Sequence, residues 1–92
     1  MKTYQFGLCE GRHYSPASEG IFPKVIEDFN TKLLEERANS RIPDDCEKLE
    51  LYVSGFAMAL LAVVKVCHRR GIHLTAYNYN PRYRMYTKEE IF

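Results

Sequence analysis

The apolar positions change period several times along the chain, and each change marks an element. Tyr4, Phe6 and Leu8 alternate with Thr3, Gln5 and Gly7, the period of a half-buried strand. Residues 10–20 follow without any period: Glu10-Gly11-Arg12-His13-Tyr14-Ser15-Pro16-Ala17-Ser18-Glu19-Gly20 is polar and rich in Gly, Pro and Ser, so it reads as a loop. A loop of that length in a small domain is usually functional or mobile. Pro23 suits the first turn of a helix, where its missing N–H costs nothing. Val25, Ile26, Phe29, Leu33 and Leu34 then fall at helical spacing, Glu27 and Asp28 favour the N-terminal end, and Lys32 can pair with Asp28. This helix is expected to end near Asn39 and Ser40. A charged connection, Arg41 to Lys48, contains Pro43.

The longest organised stretch is LELYVSGFAMALLAVVKVCHRRG, residues 49–71. Leu49, Leu51 and Val53 alternate with Glu50 and Tyr52, a second strand. Ser54-Gly55 breaks the alternation, and a helix apolar on nearly every side runs from Phe56 to Cys67. Gly71 supplies the left-handed residue that commonly ends helices, with His68, Arg69 and Arg70 in the favourable last turn. Ile72, Leu74 and Ala76 against His73, Thr75 and Tyr77 make a third strand. Asn80-Pro81-Arg82 is a type I turn by residue type. Tyr83 to Tyr86 returns as a short antiparallel edge strand, and Thr87-Lys88-Glu89-Glu90 has capping-box spacing.

The predicted order is β-α-β-α-β-β: a single small α/β domain over residues 1–92. Right-handed crossovers give it a parallel three-stranded core and an antiparallel edge hairpin, a reduced Rossmann-like layout in two or three layers. Lys65 is the only charge between Gly55 and Arg69. A helix apolar all round has to be buried all round, so a homodimer or larger homo-oligomer covering part of Phe56–Cys67 is expected.

Composition narrows the class. Apolar residues at 46% and charged ones at 27% are ordinary for a globular protein. Net charge is +1, but residues 1–60 hold ten acids and seven bases while residues 61–92 hold six bases and two acids. That basic end hints at an anionic partner without the dense clusters of a duplex nucleic-acid binder. Three cysteines, Cys9, Cys46 and Cys67, show no CxxC spacing. The expectation is a reducing cytoplasm, with neither disulfide framework nor zinc. Phe56–Val64 is about half the roughly 20 residues that span a bilayer, so no membrane segment is expected.

Open α/β sheets bind ligands outside the carboxyl ends of their strands, where three loops should converge. In the middle loop Ser54 can cap the helix and Gly55 allows close approach to the backbone. The free N–H groups from Phe56 onward suit a phosphate or carboxylate; the alternative is a plain cap, since neither GxGxxG nor GxxxxGK[ST] is present. Arg12 and His13 follow the first strand, where Arg can bind phosphate and His can donate a proton. The third loop offers Tyr77, Asn78, Asn80 and Arg82. Tyr77, Tyr79, Tyr83 and Tyr86, interleaved with Arg82 and Arg84, can stack a base or form a protein-binding patch. No His or Cys stands at metal-ligand spacing beside the carboxylates, and no GxSxG is present; no metal or cofactor is expected.

The segment LELYVSGFAMALLAVVKVC followed by HLTAYNYN, residues 49–80, resembles the strand–loop–helix–strand core of CARF-like domains, the CRISPR-associated Rossmann-fold nucleotide sensors. It also resembles small phage and prokaryotic proteins of the anti-defence kind. The resemblance implies a dimer that binds a cyclic or oligomeric nucleotide, contacted here by Arg12, His13, Ser54, Gly55 and Phe56. It implies a cytoplasmic setting, that of the host if the chain is phage-encoded. With no effector domain in the sequence, a free-standing sensor or sponge without catalysis is the first expectation. A protein-interaction inhibitor acting through the Tyr/Arg-rich hairpin is the alternative, and a small phosphodiesterase-like enzyme using His13 is the third.

Overall fold

The computed structural model describes residues 1–10, 17, 19–26, 30–54 and 56–92. Its elements are β1 (Thr3–Cys9), β2 (Gly20–Phe22), α1 (Thr31–Arg41), β3 (Lys48–Val53), α2 (Ala57–Arg70), β4 (His73–Asn80) and β5 (Met85–Glu90). One five-stranded sheet runs in the order β2-β1-β3-β4-β5. The first four strands are mutually parallel, and β5 pairs antiparallel with β4. This is the expected α/β layout, with one parallel strand more than the alternation predicts.

The strand periods decide the layers. Phe6, Leu8, Leu49, Leu51, Leu74 and Ala76 are buried and belong to one core with Leu34, Ala38, Ala59, Val63, Val66 and Cys67 of the two helices. Both helices therefore cover the same face. The strand registers align Gln5, Glu50 and Thr75, and then Gly7, Tyr52 and Tyr77, on the other face. No described helix lies there, and the molecule has two layers.

Several expected boundaries are corrected. The helix does not begin at Pro23: Gly20-Ile21-Phe22 is a fully buried parallel strand, and Pro23 follows it. The helix starts at Thr31, because the Asn30 side chain accepts the Lys32 and Leu33 N–H groups at 3.0 and 3.4 Å, the contact an N-cap makes. Val25 is 65% exposed, and Phe29 and the proposed Asp28–Lys32 pair involve positions outside the described residues. The helix runs on to Arg41, past Asn39 and Ser40, with the Ile42 N–H reaching the Ala38 carbonyl. Arg37 and Arg41 explain the extra strand. Arg37 Nε donates to the Ile21 carbonyl and Arg41 Nη2 to the Gly20 carbonyl, each at 3.2 Å, so α1 satisfies acceptors of an edge strand too short to hold itself.

At the other edge, Thr87-Lys88-Glu89-Glu90 is strand rather than helix start. Thr87 pairs with Asn78 and Glu90 with Thr75, so the ladder to β4 takes the backbone groups a cap would use. Gly71 ends α2 as expected, at φ 67°, and Cys67 is a core residue.

Candidate functional site

Chain direction changes at the middle of the sheet. From β1 the chain goes to β2 on one side; from β3 it goes through α2 to β4 on the other. The carboxyl ends of β1 and β3 thus meet at a topological switch point, the usual crevice for ligands in open α/β sheets. The N-terminus of α2 lies there.

That terminus presents backbone N–H groups. Phe56 is the N-cap and makes no side-chain cap. The first intrahelical bond is Leu60 N–H to the Phe56 carbonyl at 3.1 Å, which leaves the N–H groups of Ala57, Met58 and Ala59 without intrahelical acceptors. Directly before it, the Phe56 N–H reaches back to the Ser54 carbonyl at 2.6 Å. Ser54 is 5% exposed, and its Oγ is buried with no hydrogen-bond partner among the described residues. A buried hydroxyl is normally satisfied, because leaving it bare carries a desolvation cost of about 1–3 kcal/mol. So a buried donor and three helix-start N–H groups stand at the switch point, and together they suit an anion.

Of the other expected site residues, Arg12, His13 and Gly55 lie outside the described residues. Asn78 is brought to the site, since it pairs with Val53 in the last β3–β4 rung. Asn80 and Arg82 are engaged elsewhere. The Asn80 side chain accepts the Arg82 N–H at 3.0 Å, a local Asx turn, and the Arg82 guanidinium lies 5.7 Å from the Tyr83 ring centroid.

Tyr77 is not beside the helix start but on the opposite sheet face, and it has a partner the site prediction missed. Its ring stacks on Tyr52 with centroids 4.8 Å apart and planes at 13°. Tyr86 meets Tyr52 edge-on at 5.1 Å, and Tyr79 meets Tyr86 at 5.3 Å. Below them Glu50 accepts from the Tyr77 hydroxyl at 3.0 Å and from the Gln5 amide at 3.2 Å. The hydrogen bond to Glu50 pushes the Tyr77 pKa up. Burial, and then the Glu50 charge, raise that of Tyr52. Both phenols stay neutral at physiological pH. Alternation puts Glu50 and Tyr52 on the polar side of their strand, but the meeting of Tyr52 with Tyr77 depends on the register between β3 and β4.

Among the described residues no group of three His, Cys, Asp or Glu side chains is placed to hold a metal. No helix among them is long and apolar enough to cross a membrane. No family model, curated protein or solved structure matches this chain, so its function has to be argued from the chemistry of this edge of the sheet.

Proposed function

We propose that the protein binds a small phosphorylated ligand, a cyclic or oligomeric nucleotide in the first instance, and holds it without turning it over. The observation that carries this reading is the buried Ser54 hydroxyl, without a hydrogen-bond partner among the described residues, just before the start of α2, which has no side-chain cap, at the switch point between β1 and β3. A phosphate there would accept from the hydroxyl and from backbone N–H groups, with the positive end of the helix dipole behind them. Self-association belongs to the same reading, because α2 leaves Met58 37% and Leu61 50% exposed.

A second reading, a hairpin that docks on another protein, is supported by Tyr83 and Met85, which are 64% and 58% exposed at the β4–β5 turn. Native mass spectrometry of protein purified from cells, followed by calorimetric titration with nucleotides, separates the two. Bound mass of nucleotide size, lost in Ser54→Ala, supports the first. A chain that carries no small molecule and gives no heat with any nucleotide removes it.

A further inference from the structure

The stacked tyrosines stand two positions along β3 from the proposed anion site. Tyr52 precedes Ser54 by two residues, about 7 Å along the strand at the usual rise, and its ring lies on the sheet face away from α2, so a ligand that reaches both passes over the carboxyl end of β3 between its base and its phosphate. Resting on the proposed binding of a phosphorylated ligand, we infer that the Tyr52–Tyr77 pair is a stacking platform for that ligand's nucleobase.

Three observations support it. The rings lie on the sheet face away from the helices, where burying an aromatic pair adds nothing to the core described above. They are already held: Tyr77 is fixed through its hydroxyl by Glu50, and Glu50 in turn by Gln5. A platform positioned before binding loses little side-chain entropy on binding. In the same row the neighbours of Tyr52 toward the sheet edge are Gly7 and then Gly20. Gly7 therefore places no side chain beside the ring, the side on which a planar base can lie; beyond it, the space a Cβ would take at Gly20 is filled by Glu10, whose Cγ and backbone N lie 2.6 Å away. At Gly7 an added Cβ would meet only ordinary contacts, the nearest being 3.7 Å, so packing within the chain does not demand glycine there.

The stacking contribution of one base corresponds to roughly tenfold or more in affinity. The test is calorimetric titration with two probes, adenosine 5′-monophosphate and ribose 5-phosphate, which share the phosphate and differ by the base. The wild-type chain is expected to bind the nucleotide at least tenfold more tightly than the sugar phosphate. Tyr52→Leu should close that gap while leaving ribose 5-phosphate binding unchanged. The chain contains no tryptophan, so Tyr52→Trp supplies a single emission reporter, to be quenched by the nucleotide and not by the sugar phosphate. Equal affinity of the wild type for both probes would overturn the platform and leave the phosphate reading standing. Binding of neither probe would remove both. The wild-type comparison decides the matter even if Tyr52→Leu fails to fold.

Discussion

Arg70, the last residue of α2, clamps the end of α1 through Pro43: its Nη2 donates to the Pro43 carbonyl at 2.6 Å. Its Nη1 donates to the carbonyls of Asn39 and Ile42 at 3.3 and 3.2 Å. The basic last turn of α2 thus serves the carbonyl end of the neighbouring helix, where a cation is favourable. Arg69 and Lys65 reach the same helix from the side, both pairing with Glu35. The Arg69 hydrogen bond holds the Glu35 carboxyl below its usual range. The cations of those pairs are more than half exposed, though Glu35 is 19% exposed, and ion pairs open to solvent contribute little; Arg70 is different because it satisfies the part-buried carbonyls of Ile42 and Pro43.

Arg70→Ala should therefore destabilise the fold by about 2 kcal/mol, lowering the unfolding midpoint by on the order of 10 °C. Arg70→Lys should recover little, since an ammonium cannot fork between the three carbonyls and the Asn39 side-chain oxygen, which Nη1 also reaches at 3.3 Å. Circular dichroism melts check both. An alanine variant melting within a degree or two of wild type would show that the clamp is not structural.

The cysteines give a pH prediction. Cys9, Cys46 and Cys67 are all buried and form no disulfide. Burial pushes the Cys67 thiol up to about 12 from an ordinary 9, and raises Cys46 as well. A thiol whose folded pKa exceeds its unfolded one contributes stability that is fully present below the unfolded value. That contribution is lost as pH rises toward the folded value. Denaturant unfolding at a series of pH values should show stability level to about pH 8 and falling above 9. Native protein should react slowly with a thiol reagent, because the thiolate is the reactive form, and denaturant should expose three thiols. Rapid labelling of Cys67 in the native state would contradict its place in the core.

How much of this was legible in the sequence follows from element length. β1, β3 and β4 carry enough alternation to name their buried residues, and Gly71 announces the end of α2. β2 has three residues, all buried, so it has no period, and Pro23 after it imitates a helix start. What holds β2 is the pair Arg37 and Arg41, sixteen and twenty-one residues away, a long-range cause no local pattern contains. The apolar spacing of Val25 and Ile26 runs past Asn30, the residue that caps α1. The break after Val53 sets Ser54 and Phe56 ahead of α2, whereas Asn78, expected in the loop after the third strand, lies within β4 opposite Val53. Tyr52 needed the register between strands, which only the assembled sheet provides.

Self-association can be tested on α2 without disturbing the core. Leu61 is half-exposed, while its neighbours Ala62 and Val63 are buried in the core. Leu61→Lys should leave the melting curve of the monomer unchanged and shift light-scattering mass from dimer to monomer. A wild-type protein that is monomeric at micromolar concentration would end this part of the proposal.

The decisive substitution for the anion site is Ala57→Asp. Ala57 is the first residue of α2 and is exposed, so the change removes no packing. A carboxylate in the first turn is favourable to the helix dipole and should stabilise α2 by about 0.3–1 kcal/mol. The same charge would occupy the helix-start N–H groups and repel an incoming phosphate. Stability and binding should therefore move in opposite directions, a combination that general damage to the fold cannot produce. Thermal melts should show an unchanged or slightly raised midpoint, and calorimetric titration with adenosine 5′-monophosphate should show affinity falling by about tenfold or more. Ala57→Asn, similar in shape and uncharged, should lie between the two. If Ala57→Asp binds the nucleotide as the wild type does, the phosphate is not held at the start of α2, and Ser54 is a buried hydroxyl with no ligand to meet.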